Sequence, residues 1–372
     1  MRKIFKFILK VLLSIVLLVL LFAIGIYIFV MTAPQFGQVP EGEDLERIQQ
    51  SEHYQGGKFV NMIETQLGTF EDMLSVLPDY FSLENGSPTD TLPANFNQIF
   101  LPADSGVHIT WFGHSAFLIE MDGQRILIDP MFGPVAAPVN FGAKRFPYEE
   151  EIPMDQFKDI DAVIISHDHY DHLDYPSIVQ LKADVSMFYT PLGVGSHLKR
   201  WGVEPDKIIE LDWWDHASFD GIELTACPSR HFSGRGLTDQ FATQWASFVI
   251  KGEHSTLFFS GDGGYGPHFK EIGERFGPFD FAMMECGQYN EAWGDIHMLP
   301  EQSVQAGLEL NAKVLMPIHW GAFELAVHPW TEPIERFQKA AEQKGATFIQ
   351  PQIGQRFDIQ RLPMTTQWWR FN

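Results

Sequence analysis

Three imidazoles and one carboxylate stand within six positions of the sequence, as His167, His169, Asp171 and His172. The apolar run before them, residues 163–165, predicts a short buried strand, and Pro176 behind them marks the first turn of a helix. The four side chains are therefore expected on a strand-to-helix loop, which is where α/β sheets carry their sites. Imidazole and carboxylate are ligands for zinc and similar metals. Because four neighbouring side chains cannot all converge on one ion, this loop is expected to serve two ions in an α/β fold.

Three more candidate ligands follow apolar runs elsewhere in the chain. His231 comes after "IELTAC", Asp262 after "LFFS" and His319 after "VLMPI". Each run predicts a strand that ends shortly before the polar residue. A single histidine at a strand end is more often a hydrogen-bonded structural residue than a ligand. Four strand ends that carry the same chemistry are much harder to explain in that way, and together they predict a site for two metal ions.

This set of residues resembles the signature of the metallo-β-lactamase superfamily, and the resemblance covers about residues 105–358. It implies an α/β fold of one particular kind, a four-layer αββα sandwich with a dinuclear metal site. Carried over to this chain, one metal is bound by His167, His169 and His231. The other is bound by Asp171, His172 and His319, and Asp262 bridges the two. The cofactors that the resemblance implies are two Zn²⁺ per chain.

Longer motifs indicate one branch of this superfamily. The stretches "WFGHSAFLIE", "LIDPMFGPVAAP", "SHDHYDHLD", "NEAWGDIHMLPEQS" and "PIHWGAF" are similar to the branch that contains the N-acylphosphatidylethanolamine-hydrolysing phospholipase D. That branch implies a phosphodiesterase that releases phosphatidic acid and an N-acylethanolamine. An enzyme of the ascorbate-6-phosphate lactonase type is a second relative, so a lactonase or other ester hydrolase acting on a small extracytoplasmic substrate stays open. A metal-dependent scaffold protein without enzymatic activity is disfavoured, because such a protein would not need to keep the complete set of metal ligands.

Besides the seven ligands, three further polar residues, His297, Asp129 and His114, are given roles. The resemblance places His297, in "WGDIHMLP", near the substrate phosphate, where it orients or protonates a leaving oxygen. The alternative is a structural residue at the entry of a helix, since Pro300 and Glu301 follow. Asp262 is counted as catalytic as well as a ligand, because it helps to hold the attacking water. Asp129, in "LIDP", is either an acceptor for a ligand imidazole or a structural residue at a strand end. His114 is assigned a structural role.

Aromatic residues near the proposed site are candidates for substrate binding. Tyr289, Trp293 and Trp320 flank the predicted site loops and are expected to line an acyl groove. The alternative for each of them is a place in the hydrophobic core.

The N-terminus predicts a membrane anchor. Residues 11–31 are 21 positions without a charge, long enough at 1.5 Å per residue to span a hydrocarbon core about 30 Å thick. This run exceeds the usual 7–15 apolar residues of a signal peptide, although a cleaved signal peptide is the alternative. Four basic residues precede it, so the positive-inside rule places the N-terminus in the cytoplasm and the catalytic part on the extracytoplasmic side of a single-pass protein.

The rest of the chain divides into two parts. Residues 32–100 are expected to form a short tether, residues 32–43, followed by an amphipathic helical extension, and residues 101–372 the catalytic domain. The extension is expected to pack on the catalytic domain, and a position near the bilayer is the alternative. Within that domain Asp122-Gly123 predicts a type I′ hairpin turn, and Cys227 and Cys286 are expected to be buried thiols. The net charge of −22 disfavours nucleic acid as a partner. The expected partners are a lipid or small-molecule substrate and the membrane, and the sequence does not specify an oligomeric state.

Overall fold

Two mixed β-sheets and the helices that flank them make up most of the structure. The structure, a computed structural model, describes residues 2–99 and 106–370. The strands are β1 (Tyr54–Gln55), β2 (Lys58–Phe59), β3 (His108–Trp111), β4 (Phe117–Met121), β5 (Gln124–Ile128), β6 (Ile160–Ile164), β7 (Val185–Pro191), β8 (Ile208–Leu211), β9 (His216–Phe219), β10 (Ile222–Cys227), β11 (Ser247–Lys251), β12 (Thr256–Phe259), β13 (Phe281–Glu285), β14 (Leu315–Ile318) and β15 (Arg356–Asp358). The helices are α1 (Arg2–Thr32), α2 (Glu43–Ile48), α3 (Phe70–Ser82), α4 (Tyr175–Leu181), α5 (Gly195–Arg200), α6 (His268–Phe276), α7 (Pro300–Glu309) and α8 (Glu332–Lys344).

The strands form two large sheets and one small hairpin. The first sheet has the order β15-β3-β4-β5-β6-β7-β8, and the second has the order β14-β13-β12-β11-β10-β9. Each sheet combines an antiparallel part with a parallel part. Aromatic side chains join the two sheets: Phe117 of β4 packs against Phe259 of β12, with ring centroids 6.3 Å apart. On the outside, α7 packs on β13 and β14, and α5 packs on β8. The predicted αββα sandwich is confirmed.

Burial on both faces explains why the strands are so apolar. Every residue of β4 and of β13 is buried, because each strand has the other sheet on one face and helices or loops on the other. The predicted hairpin turn is present between β4 and β5, where Asp122 and Gly123 have φ angles of 51° and 79°. Both cysteines are buried and free. Two edge strands, β9 and β15, were not predicted, since short and partly exposed strands carry little hydrophobic periodicity.

The strand directions bring the candidate ligands to one edge of the sandwich. In the second sheet β12, β13 and β14 are parallel, and β10 runs in their direction because two antiparallel pairings separate it from β12. The carboxyl ends of β10, β12 and β14 therefore lie at the same edge. Each is followed within a few residues by a candidate ligand. The loop after β6 of the first sheet meets them there, since Ser166 accepts the backbone hydrogen bond of Ala246.

The N-terminal region differs from its prediction in two respects. The predicted tether is docked on the domain: the indole of Trp201 donates to the carbonyl of Pro34, and the guanidinium of Arg235 donates to that of Gln35. The amphipathic helix begins only at Phe70, because Thr69 and Asp72 form a capping box there. The expected packing of the extension holds for Ile48 of α2 and for Phe59, which are buried, whereas α3 exposes Leu74, Leu77, Tyr80 and Phe81. The predicted boundary between residues 100 and 101 lies outside the described residues.

Helix α1 extends away from the domain. None of its residues is buried, and among the described residues it is the one helix long and apolar enough to cross a membrane. Its length and composition suit either a membrane span or a signal sequence.

A cluster of tryptophans closes the core behind the site. Trp320 is 1% exposed, and its ring lies 5.8 Å from that of Trp111 and 5.4 Å from that of Trp368. Its indole N–H donates to the carbonyl of Pro317 at 3.3 Å. Trp320 is therefore a core residue, which was the alternative to its predicted role in substrate binding.

Trp320→Ala is expected to lower the free energy of unfolding by about 3–5 kcal/mol, because it leaves a large cavity among close-packed rings. Urea unfolding of the protein, followed by circular dichroism, measures this. Trp293→Ala is the matched control, since its ring is half-buried and its removal is expected to cost less. A loss below about 1 kcal/mol for Trp320→Ala would contradict the core role.

Candidate metal centre

The structure brings all seven predicted ligands together, in two adjoining groups. The first group is His167, His169 and His231. Nε2 of His167 lies 3.0 Å from Nδ1 of His169, which lies 3.2 Å from Nε2 of His231. Nitrogens bound to one tetrahedral Zn²⁺ at about 2.0–2.1 Å are about 3.3 Å apart. The three ring nitrogens therefore have the spacing of ligands to a single ion.

The second group is Asp171, His172 and His319, with Asp262 beside them. Nε2 of His172 lies 3.6 Å from Oδ2 of Asp171 and 3.1 Å from Oδ2 of Asp262. His319 contacts the same two carboxylates, with Nε2 3.9 Å from Asp171 Oδ2 and Nδ1 3.0 Å from Asp262 Oδ1. These side chains can hold a second ion.

Asp262 lies where the two groups meet. Its Oδ2 is 3.9 Å from Nε2 of His167 and from Nε2 of His231, and it is closer still to His172. Two buried atoms, Asp262 Oδ1 and His172 Nε2, make no hydrogen bond among the described residues, since the atoms 3.0 and 3.1 Å away from them are not in hydrogen-bonding geometry. Leaving such atoms unsatisfied in the interior is costly. A cation satisfies both of them, so the residues fit a metal site.

The charges around the centre also favour a cation. Burial lowers the pKa of His167, His231 and His319 well below the ordinary value, so these imidazoles are neutral and can donate a lone pair. Burial acts in the same direction on His172, but the carboxylates around it, those of Asp262, Asp171 and Asp129, raise its pKa well above the ordinary value. Three carboxylates around one imidazole require positive charge, which divalent ions supply.

Partners behind the ligands fix their orientation. Nδ1 of His172 donates to Oδ2 of Asp129 at 2.7 Å, and Nδ1 of His231 donates to the carbonyl of Ile296 at 3.0 Å. In both imidazoles Nε2 is therefore the free nitrogen that faces the centre. Asp129 also accepts from the amide and the hydroxyl of Ser166, at 2.7 and 2.6 Å. Asp129 thus combines both roles considered for it, since it orients a ligand and holds the strand end.

His114 contributes more to the centre than its predicted structural role. Its Nε2 lies 2.8 Å from Oδ2 of Asp171, and the side chain is fully buried. Its backbone pairs with Trp320 in an isolated bridge, and its carbonyl accepts from the amide of His319. His114 therefore positions two ligands, one through its ring and one through its backbone. The "GHS" motif was the available signal.

His297 lies beside both groups and is held by a residue that the sequence analysis missed. Its ring centroid is 5.1 Å from that of His231 and 5.4 Å from that of His319. Its Nδ1 donates to Oε1 of Glu285 at 2.9 Å, and the amide of Met298 donates to Oε2 of the same carboxylate at 3.0 Å. Burial raises the pKa of Glu285 to about 7, and the hydrogen bond from His297 opposes that rise. No local pattern reveals this pair, because Glu285 is the last residue of an apolar strand.

The three aromatic residues predicted to bind substrate have different surroundings. Trp320 belongs to the core. Tyr289 is buried, donates its hydroxyl hydrogen to Glu332 and stacks on His328 at 4.4 Å. Trp293 is half-buried on the turn before His297. A substrate role for this set therefore stays a prediction that rests on Trp293.

Backbone contacts complete the support of the ligand loops. Asn61, from the extended segment before α3, exchanges hydrogen bonds with the backbone of His231, at 2.8 and 3.1 Å. Gly287 lies against the backbone of His319, so closely that a Cβ atom there would meet the His319 carbonyl oxygen at 1.5 Å. Only glycine permits this approach, and it sets the position of the His319 loop.

Comparisons with known proteins agree with this geometry. A model of the beta-lactamase superfamily domain matches residues 124–320, which include all seven candidate ligands. An uncharacterized protein of Mycobacterium tuberculosis is 39% identical over 329 residues, 87% of this chain and 88% of that protein. The N-acyl-phosphatidylethanolamine-hydrolyzing phospholipase D 1 of Caenorhabditis elegans is 29% identical over 285 residues, 71% of this chain and 80% of that protein. A solved metallo hydrolase of Ignicoccus hospitalis has a TM-score of 0.51 at 22% identity and covers 68% of this chain and 98% of its own.

Gly287→Ala is expected to weaken metal binding about 10- to 100-fold, because the added methyl group displaces the backbone of His319 and with it one ligand. Titration of the folded, metal-depleted protein against a fluorescent chelator measures the affinity.

Gly294→Ala is the matched control, because the nearest atoms to its Cβ, backbone oxygens, lie at an ordinary 3.6 and 3.8 Å. Unchanged affinity in a folded Gly287→Ala protein would show that the close approach does not hold the ligand.

Proposed function

The chain belongs to the beta-lactamase superfamily and is a metal-dependent hydrolase, and from that premise we propose that it is a membrane-anchored zinc phosphodiesterase of the phospholipase D type. Its substrates are N-acylphosphatidylethanolamine-like lipids, and its products are phosphatidic acid and an N-acylethanolamine. One observation carries the proposal. His297, which we propose is not a metal ligand, lies beside the two groups of candidate ligands that meet at Asp262.

Two zinc ions are proposed as the cofactors. His167, His169 and His231 hold one, Asp171, His172 and His319 hold the other, and Asp262 is shared. When bound, such ions activate a water and neutralise the charge that develops on a phosphoryl oxygen. The protein contributes the orientation of the ligands, through Asp129, His114 and the carbonyl of Ile296.

His297 is proposed to assist the leaving oxygen. Because Nδ1 is held by Glu285, Nε2 is the nitrogen left for the substrate. A proton on Nε2 is then available to the alkoxide of the departing N-acylethanolamine. This role needs no metal bond to His297, and it distinguishes His297 from the seven ligands.

The lipid substrate is supported by the phospholipase relative and by the anchor. The net charge of −22 does not attract an anionic phospholipid. A membrane-spanning α1 removes that difficulty, because it keeps the site near lipid and raises the effective concentration without electrostatic attraction. The alternative, a lactonase or other ester hydrolase acting on a small extracytoplasmic substrate, has the same metal requirement and differs in its substrate and in the bond that it cleaves.

The proposed arrangement in the membrane follows the basic residues before the span. Residues 1–31 form the cytoplasmic tip and the uncleaved anchor, residues 32–100 join it to the catalytic part, and residues 101–372 lie on the extracytoplasmic side.

His297→Ala is expected to keep its full metal content and to lose about 10²–10⁴-fold in turnover of N-acylphosphatidylethanolamine, the usual contribution of general acid catalysis. Mass spectrometry of the products, with phosphatidic acid as the expected one, measures the reaction, and elemental analysis measures the metal.

His254→Ala, which changes an exposed histidine on the β11–β12 turn, is the matched control and is expected to behave like the unaltered protein. Unchanged turnover in His297→Ala would remove that residue from the mechanism. Hydrolysis of lactones without hydrolysis of phospholipids would reject the phosphodiesterase and support the alternative.

Protease added to the outside of the cytoplasmic membrane is expected to digest the catalytic part, because the anchor places it there. A tag ahead of Arg2 should stay protected. Protection of the catalytic part and loss of the tag would reverse the proposed orientation.

A further inference from the structure

We propose that the face of the domain next to the end of α1 lies on the bilayer that holds α1, with Phe141 and Leu237 inserted among the lipids, so that the metal centre lies close to the membrane. The proposal rests on the part of the proposed function that makes α1 a membrane span. It does not depend on which bond the enzyme cleaves.

The connection between helix α1 and the domain is short and bound to the domain surface. Helix α1 ends at Thr32, whose carbonyl accepts a hydrogen bond from Arg200 at 3.0 Å. Residues 34–38, here called the clasp, follow at once and are bound to the domain. The indole of Trp201 donates to the carbonyl of Pro34 at 2.6 Å, and Phe36 packs edge-to-face on Phe29 of the helix. The domain surface around the clasp is therefore held where the helix leaves the membrane.

Two loops that are hydrogen-bonded to the clasp expose large apolar side chains. The side chain of Gln35 donates to the carbonyl of Pro138 at 2.9 Å, and three residues further on Phe141 is 85% exposed. Arg235 donates to the carbonyl of Gln35 at 2.8 Å, and two residues further on Leu237 is 71% exposed. Both loops are thus tied to the same residue, three positions past the end of the helix.

The surface around the clasp is expected to contact lipid, because α1 itself requires a lipid environment. An apolar helix with no buried residue needs a lipid environment along its length. Apolar side chains beside the point where such a helix leaves the bilayer are stabilised by insertion at the boundary between headgroups and acyl chains. Lys144 is exposed on the same loop as Phe141, where its ammonium group can contact the lipid phosphates above the acyl chains. Helix α3 also exposes apolar residues, but no described contact joins it to the clasp, so the proposal rests on the two loops.

The clasp also contacts the loop that carries the candidate metal ligands. The ring of Phe36 packs edge-to-face on Tyr170, which stands between the ligands His169 and Asp171. The amide of Gln38 donates to Nδ1 of His197 at 2.9 Å, and the other ring nitrogen of His197 donates to Asp168 at 3.2 Å. The clasp thus lies against the ligand loop itself. A domain seated on the membrane through the clasp therefore has its metal centre at the membrane side.

The test uses single cysteines in the full-length protein. F141C, L237C and M364C are labelled with an environment-sensitive fluorophore and placed in nanodiscs of zwitterionic phospholipid with and without a lipid-attached quencher. Cys227 and Cys286 stay in place because both are buried. Met364 is the matched control: it is 88% exposed, but its segment packs toward Gln350 and Trp111, through Thr365 and Trp368.

Labels at positions 141 and 237 are expected to be quenched severalfold more than the label at 364. Equal quenching at all three positions would overturn the proposal. The readout requires no turnover, so it separates the two claims. Quenching without phospholipid hydrolysis would keep the membrane face and reject the proposed function, whereas hydrolysis without quenching would keep the function and reject the face.

Discussion

A buried concentration of negative charge at the edge of the sandwich is the constraint on which the rest of the structure depends. Asp262, Asp171 and Asp129 surround His172, and all four side chains are withdrawn from solvent or nearly so. Such an arrangement is stable only with compensating positive charge. Five imidazoles with free nitrogens point into the same space, which is the environment that divalent metals require. The fold, the loops and the neighbouring hydrogen bonds all serve to hold these groups at that edge.

The two sheets meet this requirement by ending several strands at one place. The ligands follow β6, β10, β12 and β14, so a rigid core determines their spacing. Contacts between the loops then adjust it: His114 pairs with the His319 loop, Gly287 lets the chains approach, and Asn61 holds the backbone of His231. His297 and Glu285 form a separate pair beside the candidate ligands, and in the proposed function metal binding and proton transfer fall to different residues. Helix α1 joins the domain next to the same loops, through the clasp.

Much of this could be predicted from the sequence because the signals are local. Ligands directly after apolar runs predicted both the strands and the site, and Asp122-Gly123 predicted its turn. What could not be predicted depends on tertiary contacts. Glu285 and His297 are 12 positions apart and meet only in the folded protein, and the "GHS" motif marks His114 without revealing that its ring contacts Asp171. The tether appeared to be a linker because its proline and glycine favour loops, whereas Trp201 and Arg235 bind it from 167 and 200 residues away.

The central claim is that two metal ions are held by the seven residues, with Asp262 between them. Anomalous diffraction at the zinc absorption edge, from crystals of protein purified without chelator, tests it most directly. The account predicts two peaks, one among His167, His169 and His231 and the other among Asp171, His172 and His319, and loss of both in the Asp262→Ala protein. A single peak, or two peaks that survive Asp262→Ala unchanged, would contradict it.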